Sequence, residues 1–157
     1  MEKRNLKNFI LSRDIVFWDF DGVIKKSNQA KLDGFLKLFK GLNKNELDFI
    51  VNHHVENQGL SRFEKIPIYL KKAGINANKE NILRYADKFS KLVIGAVIQS
   101  DWVDGVLDIL NSKSNNIFII VTGTPQEEIN FILKELQIEH CFDYIFGSPM
   151  KKVAAIQ

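Results

Sequence analysis

Asp19 and Asp21 stand two residues apart in Asp19-Phe20-Asp21-Gly22-Val23, directly behind the unbroken apolar run Ile15-Val16-Phe17-Trp18. On a chain leaving a strand, period-two spacing aims both carboxylates the same way. Gly22 then permits a sharp turn or the close approach of a ligand. Paired carboxylates so placed offer a divalent-metal site, or a nucleophile with an acid/base partner. Aspartate is also common in turns, so the motif takes its meaning from its company. Two further stretches supply that company. Ile117-Phe118-Ile119-Ile120-Val121 ends on Thr122-Gly123-Thr124-Pro125, and Phe142-Asp143-Tyr144-Ile145-Phe146 runs into Gly147-Ser148-Pro149-Met150-Lys151-Lys152. In an open α/β sheet, ligands bind outside the C-terminal ends of the strands, so all three endings converge on one crevice. A hydroxyl, main-chain N–H groups near a helix start and a lysine are what a phosphate dianion needs around its oxygens. A carboxylate facing phosphorus and a second acid for the leaving oxygen complete the requirement.

The elements that must position these residues follow from periodicity. The first strand, about Asp14 to Asp19, and the second, Ile117 to Val121, are apolar without alternation, the pattern of parallel strands covered on both faces. Phe142 to Phe146 reads as a third strand. Residues 1–13 read as a polar lead-in. Between the first two strands the period changes to that of a helix. Leu32, Phe35, Leu36 and Phe39 form one stripe, stopping near Gly41, and Leu47, Ile50, Val51 and His54 form another, with Asn43 or Asn45 as its N-cap. Ser61-Arg62-Phe63-Glu64 has the form of a capping box opening a third helix towards Lys72, with Pro67 expected to kink or shorten it. A fourth, from about Asn78 to Ile98, carries Ile82, Ala86, Phe89, Val93 and Val97. Its end, Leu92 to Ile98, is apolar all round and reads as a buried helix end or as a strand. Val103, Val106, Leu107 and Leu110 mark a short helix. Thr124 with Glu127 forms a second capping box with Pro125 at the first helical position, opening a helix with Ile129, Ile132, Leu133 and Leu136 on its buried face. About 70 residues of helical pattern are far more than a crossover needs, so an inserted helical module is expected. The expected fold is α/β: a Rossmann-like three-layer core with a parallel sheet, residues 1–24 and 99–157, and an all-helical cap inserted as 25–98.

Asp19-Phe20-Asp21-Gly22-Val23, Val121-Thr122-Gly123-Thr124 and Lys152, in that order and with a helical module after the first, resemble the first three signature motifs of the haloacid dehalogenase superfamily. The insertion is similar to the small cap of its phosphoglycolate phosphatase-like branch. The resemblance covers nearly the whole chain. It implies that Asp19 is a nucleophile forming an aspartyl-phosphate, and that Asp21 protonates the leaving alcohol and then activates water. Thr122 and the following amide would hold the phosphoryl oxygens, with Gly22, Gly123 and Thr124 lining the phosphate. Lys152, or Lys151 with one residue of slip, would neutralise charge and keep Asp19 ionised. Mg²⁺ would sit on the Asp19 carboxylate and the Asp21 carbonyl. Arg62 and Lys65, at a cap helix start after Gly59-Leu60-Ser61, would reach a substrate anion; an exposed first helical turn is the alternative reading. The family's fourth, acidic motif has no counterpart here, which leads us to expect a piece of a longer phosphatase or a short form with a weakened metal shell.

The implied activity is Mg²⁺-dependent hydrolysis of a small phosphomonoester, a sugar phosphate or phosphoglycolate. Dehalogenase and ATPase relatives lack an aspartate at the position of Asp21. The alternatives are a catalytically impaired binding or regulatory protein on the same scaffold, and a phosphomutase. A receiver-type signalling domain is disfavoured by the long insertion and the Asp-x-Asp-Gly spacing. Composition narrows the rest. With 157 residues, 45% apolar and 26% charged, the chain suits one domain carrying a small insertion. The net charge of +3 comes from lysines spread in pairs rather than a basic stripe, which disfavours nucleic acid but suits an anionic metabolite. The lone Cys141 allows no internal disulfide and suggests the cytoplasm; no run spans a bilayer, and a monomer or homodimer is expected. His53-His54 and His140-Cys141 lack a third ligand or a spaced partner and read as packing. Trp18 reads as core and Trp102 as packing near the cap hinge.

Overall fold

The computed structural model describes residues 3–150 and residue 154. The chain divides into two compact units, one of residues 1–26 with 100–157 and one of residues 27–99. In the first, α1 (Lys3–Leu11) precedes β1 (Ile15–Trp18). The second holds four helices: α2 (Asn28–Leu38), α3 (Lys44–Glu56), α4 (Arg62–Lys72) and α5 (Lys79–Gln99). The chain then returns through α6 (Val106–Asn111), β2 (Ile117–Pro125), α7 (Gln126–Glu135), a 3₁₀ turn at Glu139–Cys141 and β3 (Tyr144–Ser148).

The three strands form one parallel sheet in the order β1-β2-β3. Trp18 is level with Ile120, and Ile120 with Ile145, so all three strands run towards the same edge. This is the α/β parallel-sheet fold that the apolar runs imply. Burial is less even than those runs suggest. Trp18, Phe118 and Ile120 are buried, Trp18 meeting Phe118 edge-on at 5.3 Å, while Ile15 and Phe17 on the other face are 51% and 41% exposed. The outer edge of β1 has no neighbour among the described residues.

The opening residues are not a structureless lead-in. Lys3–Leu11 is helical and packs against α6, with Lys7 Nζ 2.8 Å from Asp108. Asn116, buried before β2, donates to the carbonyls of Leu11 (2.9 Å) and Arg13 (2.6 Å), tying the end of α1 to the sheet. Lysines, arginine and asparagines outnumber apolar residues there, so the stripe of Leu6, Phe9 and Ile10 is thin.

The helical unit closes on aromatic rings. Phe35 stacks on Phe89 at 4.1 Å and meets Tyr69 edge-on at 5.1 Å; Phe39 stacks on Tyr85 at 5.5 Å. Burying such a ring contributes roughly 2–3 kcal/mol. Asn43 caps α3 through a reciprocal box: Glu46 N–H donates to its side chain (3.1 Å) and Asn43 N–H donates to Glu46 (3.0 Å). Ser61 and Glu64 form the corresponding box at α4, which runs on through Pro67. Residues 92–98 are helical. Only Val93 and Val97 of that stretch are buried, while Leu92, Gly95 and Ala96 are exposed, so its end is amphipathic rather than buried all round. No helix among the described residues is long and apolar enough to cross a membrane.

Candidate active site

The turn after β1 hangs on one residue. Phe20 is fully buried, and its carbonyl accepts from Val23 (3.3 Å), Ile24 (2.9 Å) and Lys25 (3.2 Å). Gly22 takes φ +74°, a conformation side chains resist, and its N–H donates to the Lys25 carbonyl at 2.7 Å. Asp19 is therefore the last residue before a fixed turn and Asp21 lies within it; both are half-buried. Phe20 N–H donates to Asp19 Oδ1 at 2.8 Å, which orients that carboxylate. Lys25 is buried, with its ammonium 4.2 Å from the centre of the Trp102 ring. Burial lowers its pKa, and the charge of Asp101 opposes that.

Thr122 and Thr124 are both buried, with Gly123 half-buried between them. The ladder from β2 to β3 is regular to Val121–Phe146 and resumes at Pro125–Ser148, so these three residues bulge from it. Thr122 Oγ1 accepts from Thr124 N–H at 3.2 Å; that uses a lone pair and leaves the O–H bond to donate elsewhere. The expected capping box at Thr124 does not form. Residues before proline avoid the helical region, so Thr124 stays in β2, Pro125 (ψ 145°) is the N-cap, and α7 begins at Gln126.

The core unit thus brings together Asp19, Asp21 and Gly22 in one turn, and Thr122, Gly123 and Thr124 at the same edge of the adjoining strand. The third strand runs from Tyr144 to Ser148, two residues later than its apolar run suggested, and ends near the same edge. Lys151 and Lys152 lie outside the described residues. Arg62 and Lys65 belong to the helical unit, neighbours on α4 and both buried rather than forming an exposed first turn. Arg62 bonds Ser90 and lies over the Phe89 ring at 4.7 Å; Lys65 Nζ is 3.3 Å from His54 Nδ1. His53 Nδ1 lies 3.1 Å from the Tyr69 hydroxyl, whose pKa burial pushes up. Cys141 is buried, which raises its thiol pKa, and lies 3.6 Å from His140.

Two residues near the site carry no sequence signal of their own. Ser148, at the end of β3, is buried with a hydroxyl that has no partner among the described residues. Gln126 bonds the main chain of β3 at two points. In the sequence one reads as a turn residue before proline and the other as an exposed first turn of a helix.

As a metal site, the turn after β1 offers a carboxylate and a main-chain carbonyl, hard oxygen donors of the kind Mg²⁺ accepts while keeping several waters. No cluster of three or more His, Cys, Asp or Glu able to hold a metal occurs among the described residues. The residues present fit a Mg²⁺ ion that takes its remaining oxygens from water and substrate.

Solved structures share this fold. A protein described as a predicted phosphoglycolate phosphatase from Haemophilus somnus is 16% identical with a TM-score of 0.58, covering 88% of this chain and 64% of its own. A Thermotoga maritima structure assigned as a β-phosphoglucomutase is 19% identical with a TM-score of 0.57, covering 89% and 63%. The HAD-type hydrolase YfnB of Bacillus subtilis, solved with magnesium, is 20% identical with a TM-score of 0.60, covering 85% and 64%. The chain thus spans less than two thirds of the length of each. None of the curated proteins matches it. The sequence model of the family described as haloacid dehalogenase-like hydrolase matches residues 16–152, from β1 to the lysine pair, and the chain belongs to that family.

Proposed function

We propose that this chain carries the nucleophile, acid/base and phosphate-holding residues of a phosphomonoesterase acting on a small phosphorylated metabolite. The observation that carries the reading is the fixed turn from Asp19 to Lys25, with its two carboxylates, at the same sheet edge as the buried, bulged Thr122–Thr124. In the proposed reaction an Asp19 carboxylate oxygen attacks phosphorus as the ester P–O bond breaks, and Asp21 gives its proton to the departing alkoxide. Asp21 then takes a proton from water as that water attacks the aspartyl-phosphate, releasing inorganic phosphate and restoring both carboxyl groups. Thr122 O–H and the Gly123 amide that follows it donate to the phosphoryl oxygens, and the lysine at 152, or at 151, balances their charge. Mg²⁺, held by the Asp19 carboxylate and the Asp21 carbonyl, would supply positive charge between two anions that otherwise repel. Arg62 and Lys65, buried together on α4, are proposed separately as an anion-binding pair within the helical unit. Support for the phosphatase class comes from family membership and from the relatives' assignments; the magnesium in YfnB supports the choice of metal.

The test is phosphate release from p-nitrophenyl phosphate, 2-phosphoglycolate and hexose phosphates with Mg²⁺ present. Asp19→Asn is expected to abolish turnover. Asp21→Asn is expected to lower kcat by about 10²–10⁴-fold, the usual worth of a general acid/base. Phosphoryl that stays on Asp19 until a second sugar phosphate accepts it would mark a phosphomutase instead. Undiminished release by Asp19→Asn would overturn both.

A further inference from the structure

We infer that Ser148 is a further phosphate-binding residue of this site: its buried hydroxyl, at the end of β3, donates to an oxygen of the phosphoryl group held at the Thr122–Thr124 bulge. The role rests on the phosphatase reading for the ligand it names.

Strand parity puts Ser148 on the face of the sheet that leads to Asp19. Side chains alternate along a strand. Phe17 is level with Ile119 and Ile119 with Tyr144, while Val121 is level with Phe146. Asp19 comes two residues after Phe17, and Ser148 two after Phe146, so both continue one face towards the same edge. Gly147 fixes the direction independently. A Cβ there would lie 2.6 Å from Gln126 Cα and 2.7 Å from the Thr124 carbonyl oxygen, so position 147 looks towards the start of α7 and Ser148 looks the other way. The same close approach presses the end of β3 against the bulge, and Ser148 is level with Pro125, the residue that closes it. Neighbouring strands lie about 4.8 Å apart. With β2 in the middle, Asp19 and Ser148 therefore flank the strand end that carries the threonines.

Burial and bonding single this serine out. Along β3 the face passes from exposed Tyr144 through half-buried Phe146 to buried Ser148, and along β2 from exposed Ile117 to buried Val121. At the buried end, Ser148 Oγ has no partner among the described residues. A hydroxyl taken out of water without a bond is costly, and in native folds such groups are bonded to protein, water or ligand. A phosphoryl group suits this one. Its oxygens only accept, and a serine hydroxyl can turn to donate. Charge in phosphoryl transfer is spread over three oxygens, which calls for donors from more than one side. Thr122 O–H and the Gly123 amide approach from β2; Ser148 supplies a donor from β3, on the side away from β1.

The test compares wild type with Ser148→Ala and with Ser148→Cys, which keeps the shape but offers only a weak donor. Three quantities are read with Mg²⁺ present: affinity for inorganic phosphate by titration, melting temperature with and without phosphate, and kcat/KM on p-nitrophenyl phosphate. Both variants should bind phosphate about 10–100-fold more weakly, the worth of one hydrogen bond to a charged group, and kcat/KM should fall with it. Without phosphate, Ser148→Ala should melt no lower than wild type, because it removes an unbonded group rather than a bond. The rise in melting temperature that phosphate gives should shrink in both. Unchanged phosphate affinity in Ser148→Ala, beside a wild type that hydrolyses the ester, would mean that the hydroxyl meets water alone; the inference would fall and the phosphatase reading would stand. A wild type that binds phosphate but hydrolyses no ester, with binding weakened in both variants, would sink the phosphatase reading and leave the role of Ser148 standing. A wild type that binds no phosphate would sink both.

Discussion

Asp143 and Phe118 hold each other twice. Phe118 N–H donates to the Asp143 carboxylate at 2.8 Å, and Asp143 N–H donates to the Phe118 carbonyl at 2.8 Å. The same carboxylate oxygen meets Lys113 Nζ at 2.6 Å. A side chain just before β3 thus completes the first rung of its pairing with β2.

Asp143→Ala should therefore destabilise the chain by about 1–2 kcal/mol, because Phe118 is fully buried and its N–H would lose its acceptor. Asp143→Asn, which keeps an acceptor, should cost less. The hydrogen bond from Lys113, and then that from Phe118, lower the Asp143 pKa below its unfolded value. Such a group's contribution is fully present above the unfolded value, about pH 4, and is lost as pH falls through the folded one. Melting curves of wild type and Asp143→Ala should stay a constant distance apart from pH 8 to pH 5 and converge below about pH 4. Superimposable curves at pH 7 would refute the role.

Gly34 sets the distance between α2 and α5. A Cβ there would lie 2.1 Å from Val93 Cγ1 and 3.2 Å from Phe89 Cε2, both on buried side chains. Alanine gains roughly 1 kcal/mol over glycine within a helix, but overpacking a closed core costs about 1–3 kcal/mol. The clash should win, because the β-branched Val93 has little freedom to turn aside. Gly34→Ala is expected to lower the melting temperature, and Gly34→Ala with Val93→Ala should lose clearly less than the sum of the two single changes. Additive losses would mean that the two residues are not the point of closest approach.

That the two motifs lie at one end of the sheet was legible because it follows from residue type and short-range spacing. Asp-x-Asp-Gly behind an apolar run and Thr-Gly-Thr behind another need only the strand-end rule to be brought to one edge. The helical unit was legible by its period, and the box at Ser61–Glu64 fixed one helix start; for α3 the pattern leaves Asn43 and Asn45 open, and Asn43 is the cap. Long-range contact was not legible. That the Gln126 side chain bonds Ile145 and Gly147 of β3 depends on where the chain leaves the bulge at Thr122–Thr124, and no propensity encodes it. Local pattern favours Thr124 as a helix cap; the proline ring and the ladder to β3 hold it in the strand instead. Helix α1 escaped notice because its apolar stripe is thin and its anchor, Asn116, lies more than a hundred residues away.

The exposed face of the sheet yields the last prediction. Ile15 pairs with Ile117, and Phe17 with Ile119, which pairs in turn with Tyr144, so these side chains share one face. Ile15, Phe17, Ile117 and Tyr144 are 51%, 41%, 38% and 56% exposed. Parallel sheets are normally covered on both faces, and contiguous apolar patches of this kind bind other apolar surfaces. The natively folded chain should therefore bind the anionic naphthalene dye ANS at neutral pH. A second site could take the same dye: a groove of about 330 Å³ between α2 and α5, where Lys37, Lys88 and Lys91 surround Leu38 and Leu92. The two are separable. Phe17→Thr with Ile117→Lys should reduce the fluorescence by half or more with a modest change in melting temperature, while Leu92→Glu should leave it nearly unchanged. The opposite pattern would assign the dye to the groove and show that the sheet face is shielded in solution.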